Sequence, residues 1–355
     1  MDKKSRLKKA FALEKPDRPP ILGGWMAAQA NIQALTGCSQ EEYWSDPFYW
    51  GLAMERLLGS DGIIEIYIPI SRDEFRFIDK AHYQKHSAYT AEKVIEEIEA
   101  LPDPEELWSQ FNEETEYQKL VADIEKHQVM CGDILWCPAD WDLVPRALCY
   151  YEYGYENALT ALALYPERYC KWIQNNAVIS RQKAIVYARA IKEGFHPGVI
   201  LSGEDLNYQH GPLVSPEFLR RELFPLIEYA LEPIYQAGGK IILHCDGDYR
   251  ILLNDMLAVG ITGLQGFQSE CGMDLEWIAK LRTRTGDPLL IFGPLSVTGT
   301  LLNGSPEDIR AEVQKTMNIC RDQASLVFLS SNTINPDVPL ENIMAFWQAV
   351  LESRW

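Results

Sequence analysis

Eight short apolar runs, each rich in branched aliphatic residues and bounded by glycine, proline or polar residues, constrain this chain more than any other feature. They are PPILGGWM (19–26), GIIEIYIPI (62–70), VMCGDILW (129–136), PGVILSGED (197–205), KIILHCDG (240–247), GITGLQGF (260–267), PLLIFGPL (288–295) and SLVFLSSN (325–332). Helix-like segments lie between most of them. Ser305-Pro306-Glu307-Asp308 supplies an N-cap, a first-turn proline and acidic residues near the positive helix end, and Ser215-Pro216-Glu217 repeats that signature.

Nearly continuous apolar strands imply that both faces are covered, so the alternation predicts an α/β fold, a (β/α)8 TIM barrel in a single domain over residues 1–355. The long connection 71–128 between the second and third strands reads as a helical insertion beside the barrel mouth. A doubly wound open sheet is the competing layout, and no GxGxxG follows the first strand to support it.

With 47% apolar and 24% charged residues, the chain has the composition of a folded protein. Its net charge of −18 argues against nucleic-acid and anionic-membrane partners, which attract clustered Lys and Arg. The basic N-terminus contains only KAFAL as an apolar stretch, too short for a secretory h-region. The uncharged stretch 288–306 is interrupted by glycine and proline, so no membrane span and a cytoplasmic location are expected. Eight cysteines without a CxxC spacing predict free thiols.

In a barrel the C-terminal strand ends build the site. Reading them gives Trp25, Glu65, Tyr67, Asp133, Glu204, Asp205, His244, Asp246, Gln265, Gln268 and Ser330 to Asn332. Residues two apart on a strand face together, so His244 pairs with Asp246 while Cys245 turns away. Glu204, one strand earlier, completes a His/Asp/Glu set with an open position for a ligand, as a catalytic metal requires. The alternatives are a structural His–Asp pair and a helix or loop cap at Glu204 or Asp205. His210 reads as a pocket wall, and the aromatic stretches 43–51 and 149–156 read mainly as core.

These residues resemble the uroporphyrinogen decarboxylase superfamily, and within it the corrinoid-dependent methyltransferases, including the methyltransferase components of O-demethylase systems. The resemblance runs over most of the chain. It is carried by SGEDLNYQHGPLVSPEFLRRELFP from Ser202 and by AGGKIILHCDGD, LQGFQSECGMDL, IFGPLSVTGTLLNGSPEDI and PDVPLENI. Methylcobalamin:thiol methyltransferases of the superfamily hold zinc through a His-x-Cys pair and a second Cys after the last strand. The matching positions here are His244, Asp246 and Asn332, so two thiolates are replaced. Harder oxygen donors leave zinc more electrophilic and suit it to an ether or alcohol oxygen. Asn332 also fits a site that binds no metal.

The resemblance therefore implies methyl transfer from a small O-methylated donor, such as an aromatic methyl ether, to cobalamin carried by a separate corrinoid protein. It implies zinc on His244, Asp246 and Glu204, flanked by Gln268, Glu270 and Asn332, with Tyr208 and Trp25 as walls; Glu270 is an alternative ligand. Uroporphyrinogen decarboxylases proper hold their many carboxylates partly through N-terminal arginines, yet no Lys or Arg lies between Pro19 and Glu55. The remaining readings are a metal-free decarboxylase or other lyase using Asp246 and His244 as acid and base, and a noncatalytic barrel binding a tetrapyrrole or corrinoid partner.

Overall fold

The computed structural model describes residues 1–68 and 88–355. Among them are eight parallel strands in two sheets. In the first, β1 (Leu22–Gly23), β2 (Gly62–Ile63) and β3 (Leu135–Trp136) pair in that order. The second runs from β4 (Val199–Gly203) through β5 (Lys240–His244), β6 (Gly263–Gln265) and β7 (Leu290–Phe292) to β8 (Ser325–Val327). A parallel bridge from Ile21 to Phe328 joins the sheets at one seam. At the other, Asp140 N donates to Leu201 O at 3.0 Å. A two-stranded antiparallel ribbon, Asn207–Tyr208 with Gly211–Pro212, follows β4.

The period of two along each strand sorts side chains into two cores. Leu22, Leu135, Leu201, Ile242, Phe292 and Val327 meet in one cluster. Ile200, Ile241, Leu264, Ile291 and Leu326, their strand neighbours, pack with the helices in a larger one. Burying such a side chain contributes about 1.5–3 kcal/mol relative to leaving it exposed. This is why the runs read as apolar on both faces.

Helix Lys3–Phe11 sends Leu7, Ala10 and Phe11 into the inner cluster at the N-terminal ends of the strands. There Asp61, which precedes β2 and is fully buried, accepts from Arg6 Nη1 at 2.6 Å, Arg18 Nη1 at 2.8 Å and Ile21 N at 2.9 Å. Nothing in the sequence pattern marked this first helix as part of the core.

The run 129–136 is not a strand throughout. Residues 129–131 end helix Glu113–Cys131, which stops at Gly132 (φ 66°), and Val129 is exposed. Asp133 therefore sits at the start of β3, away from the site, and pairs with Lys3 at 3.2 Å. Of the connection 71–128, residues 71–87 lie outside the described residues, as do Pro69 and Ile70 of the second run. The rest forms helices Ala91–Glu99 and Pro104–Gln110 and the body of Glu113–Cys131, which pack on the long helix Pro166–Lys192. All eight cysteines are free. No helix among the described residues is long and apolar enough to cross a membrane.

Candidate functional site

Register brings Gly203, His244 and Gln265 side by side at the C-terminal ends of β4, β5 and β6. The strand period places the His244 and Asp246 donor atoms together, and Cys245 turns into the core, where Asn207 Nδ2 donates to its sulfur at 3.2 Å. Gly266 (φ 82°) closes against this pair: a Cβ there would lie 2.6 Å from His244 Nδ1 and 3.2 Å from Asp246 Oδ1. Only glycine permits both that φ and that approach.

The hydrogen-bond network sets the histidine tautomer. Gln265 is fully buried, and its amide nitrogen donates to the carbonyls of Ser330 and Ser331, both at 3.0 Å. Its oxygen must then face His244 Nδ1, 2.5 Å away, so Nδ1 carries the proton and Nε2 keeps its lone pair. Two indoles hold the ring edge to face, Trp25 at 5.9 Å and Trp141 at 5.6 Å between centroids.

Donor atoms of Asp205, His244 and Asp246 lie within 4.8 Å of one another. Asp205 Oδ1 is 3.9 Å from His244 Nε2 and accepts from Asp246 N at 2.9 Å. Asn332 Nδ2 donates to Asp246 Oδ2 at 2.7 Å, whereas Asp246 Oδ1 is buried without a partner. Burial pushes the Asp246 carboxyl up to about 6, against the pull of His244. A lone pair, an unpartnered buried oxygen and a second carboxylate aimed at one point fit a divalent cation with nitrogen and oxygen ligands.

Glu204 does not join this group. Its two oxygens accept from Ala147 N at 2.6 Å and Leu148 N at 2.9 Å, and burial raises it to about 8. The neighbouring Asp205 points to His244 instead, because successive residues at the end of β4 turn to opposite sides. The sequence offered both carboxylates and no signal to rank them.

Beside the group opens a cavity of about 650 Å³, lined by Trp25, Trp141, Tyr67, Tyr150, Tyr151 and Tyr155 together with Glu65, Glu204, Asp205, His244 and Asn332. Tyr150 and Tyr155 stack at 4.3 Å with their planes 5° apart. Within the stretch 149–156, Tyr150 both packs in the core and reaches the cavity, Tyr155 lines the cavity, and Tyr153 packs in the core alone. Trp25 Nε1 donates to Glu65 Oε1 at 2.5 Å; burial raises the Glu65 carboxyl, and bonding from Trp25 and Trp141 partly offsets this. No Lys or Arg is among the described lining residues.

Three expected residues lie elsewhere. Tyr208 is half exposed on the ribbon, where its ring meets His210 at 5.7 Å. Gln268 braces the turn after β5 by accepting from Gly247 N at 3.2 Å. Glu270 is exposed and accepts from Ser296 and Thr298 hydroxyls. Asp205, Gln265 and Trp141 are the positions beside His244 that sequence reasoning underweighted; only the first two stood out as strand ends.

A profile of the family described as Uroporphyrinogen decarboxylase (URO-D) matches residues 145–353. No curated protein matches the chain. Among solved structures, a methyltransferase from Methanosarcina mazei superposes with a TM-score of 0.60 at 16% identity, covering 99% of each chain. At that identity the likeness is one of fold.

Proposed function

The chain belongs to the uroporphyrinogen decarboxylase family, and from that premise we propose that it is a methyltransferase carrying a methyl group from a small O-methylated compound to a corrinoid protein. The carrying observation is the convergence of Asp205, His244 and Asp246 with Asp246 Oδ1 unpartnered. The fold likeness to a protein titled a methyltransferase supports the same reading. In it, residues 1–355 form one closed (β/α)8 barrel domain, the two sheets completing each other.

A zinc ion bound through His244 Nε2, Asp246 and Asp205 would supply Lewis acidity toward the donor's ether oxygen. Glu204, expected as a ligand, instead braces the 147–148 backbone. Gln265 holds the imidazole in the tautomer that leaves Nε2 free, and Asn332 orients Asp246. The aromatic wall binds a flat apolar donor and excludes water, which strengthens the electrostatics within. Cobalamin on the partner protein is the methyl acceptor.

The specific observation favouring a metal-free lyase is the raised Asp246 beside His244, an acid–base pair in form. Against a polycarboxylate substrate stands a described cavity wall with acids and no cations. The deciding experiment mixes the purified chain with a corrinoid protein reduced to Co(I), which supplies the electron pair of the new cobalt–carbon bond, and an aryl methyl ether, which leaves as the phenolate. Methyl-cobalt absorbance appearing in proportion to bound zinc supports transfer, and carbon dioxide release from a carboxylated substrate by zinc-free chain refutes it.

A further inference from the structure

At the other end of the strands from His244 lies a second cavity of about 590 Å³, between helix Lys3–Phe11, the starts of β4 and β5, strand β3 and the turn 194–198. Its charge is opposite to that of the whole chain. Lys4, Lys8 and Lys240 line it, no Asp or Glu does, and none of the three lysines has a carboxylate partner among the described residues. In a protein of net charge −18, three such lysines around one cavity form a local positive field.

Behind the wall lie two donors without acceptors. Gly198 N donates to His196 Nδ1 at 3.1 Å, which puts the ring proton of the neutral imidazole on Nε2. That nitrogen is buried and unpartnered in a residue 4% exposed, and so is Trp136 Nε1 in a residue 6% exposed. Burial lowers His196 to about 3, which keeps the ring a neutral donor at physiological pH. Neither nitrogen has accessible surface, so neither reaches an anion in the cavity, and the lysines alone supply its positive field.

We propose that this cavity binds a small phosphate-bearing anion, with the three lysines neutralising its charge. Three positive charges suit a phosphate dianion better than a single carboxylate. The volume exceeds that of the phosphate group, and Phe11, Leu135 and Ile191 add apolar wall, so a phosphomonoester with a small organic part fits as well as the free ion.

The test is isothermal titration of the full chain with inorganic phosphate and with phenyl phosphate, against sodium chloride at matched ionic strength. The expected result is saturable binding that weakens on the order of tenfold in the double variant Lys4→Gln/Lys8→Gln and again in Lys240→Gln. Tighter phenyl phosphate assigns the site to a phosphorylated metabolite, and tighter inorganic phosphate assigns it to the free ion. No saturable binding of either, or affinities unchanged in both lysine variants, overturns the proposal.

Discussion

At the N-terminal ends of the strands the buried Asp61 takes two guanidinium groups and a backbone amide, so both its oxygens are matched. At the C-terminal ends Asp246 keeps one buried oxygen without a partner, Asp205 and Glu65 stand close by, and the nearest cationic candidate is the single imidazole of His244. The same chemical group is thus completed at one end and left open at the other. A completed carboxylate holds the first helix and β2 in place. An open one asks for a cation or a proton from outside, as expected when function sits at the C-terminal face.

The strongest way to break this contrast is to remove the imidazole. His244→Ala should lower methyl transfer by about 10²–10³-fold, the usual cost of losing an electrostatic stabiliser, and should lower bound zinc with it. A fall in rate with zinc retained would make His244 an acid–base residue rather than a ligand. At the other end, Asp61→Asn leaves the buried Arg18 without its counter-charge and Arg6 with Asp17 alone. It should cost about 3–5 kcal/mol in denaturant unfolding while zinc per folded chain stays constant. Loss of zinc in that variant would erase the distinction between the ends.

Gln265→Leu sharpens the comparison from the side, since it frees the tautomer without touching a donor atom. Metal affinity should fall about 10–100-fold, read by competition with a chromogenic chelator. The pH response is smaller. Burial raises Asp246 to about 6 and Glu204 to about 8, above their ordinary carboxylate values, so the folded metal-free chain holds protons that the unfolded chain has released. That stabilisation is complete below about pH 4 and is lost as pH rises through about 6 and then about 8. Thermal midpoints of the metal-free chain should fall over this window, and Glu204→Gln should flatten its upper part. Bound zinc, which favours ionised Asp246, should flatten the lower part. Last, Glu270→Ala should change zinc content and rate by less than about twofold, because an exposed carboxylate serving two hydroxyls lies outside the group.

The eight strands were legible because burial on both faces leaves apolar runs that composition alone exposes, and five of them pair in the register that sets out Gly203, His244 and Gln265. His244 and Asp246 were legible for the same reason, the period of two. Glu204 against Asp205 was not, because which of two adjacent carboxylates turns to the cavity depends on where β4 ends and on the Ala147 and Leu148 amides, supplied by chain more than fifty residues away in sequence. Residues 129–131 read as strand because a helix end and a buried strand share the same apolar letters over so short a stretch. Trp141 lies five residues past β3, beyond the strand ends themselves, and the loop conformation that sets it beside His244 leaves no periodic mark in the sequence.

Zinc K-edge absorption on the loaded chain probes the central point most directly. The expected spectrum shows one imidazole with oxygen neighbours and no sulfur, persists in Glu204→Gln, and vanishes with the bound metal in Asp205→Asn/Asp246→Asn. Sulfur scattering from a cysteine, or a chain that takes up no zinc at all, would contradict it.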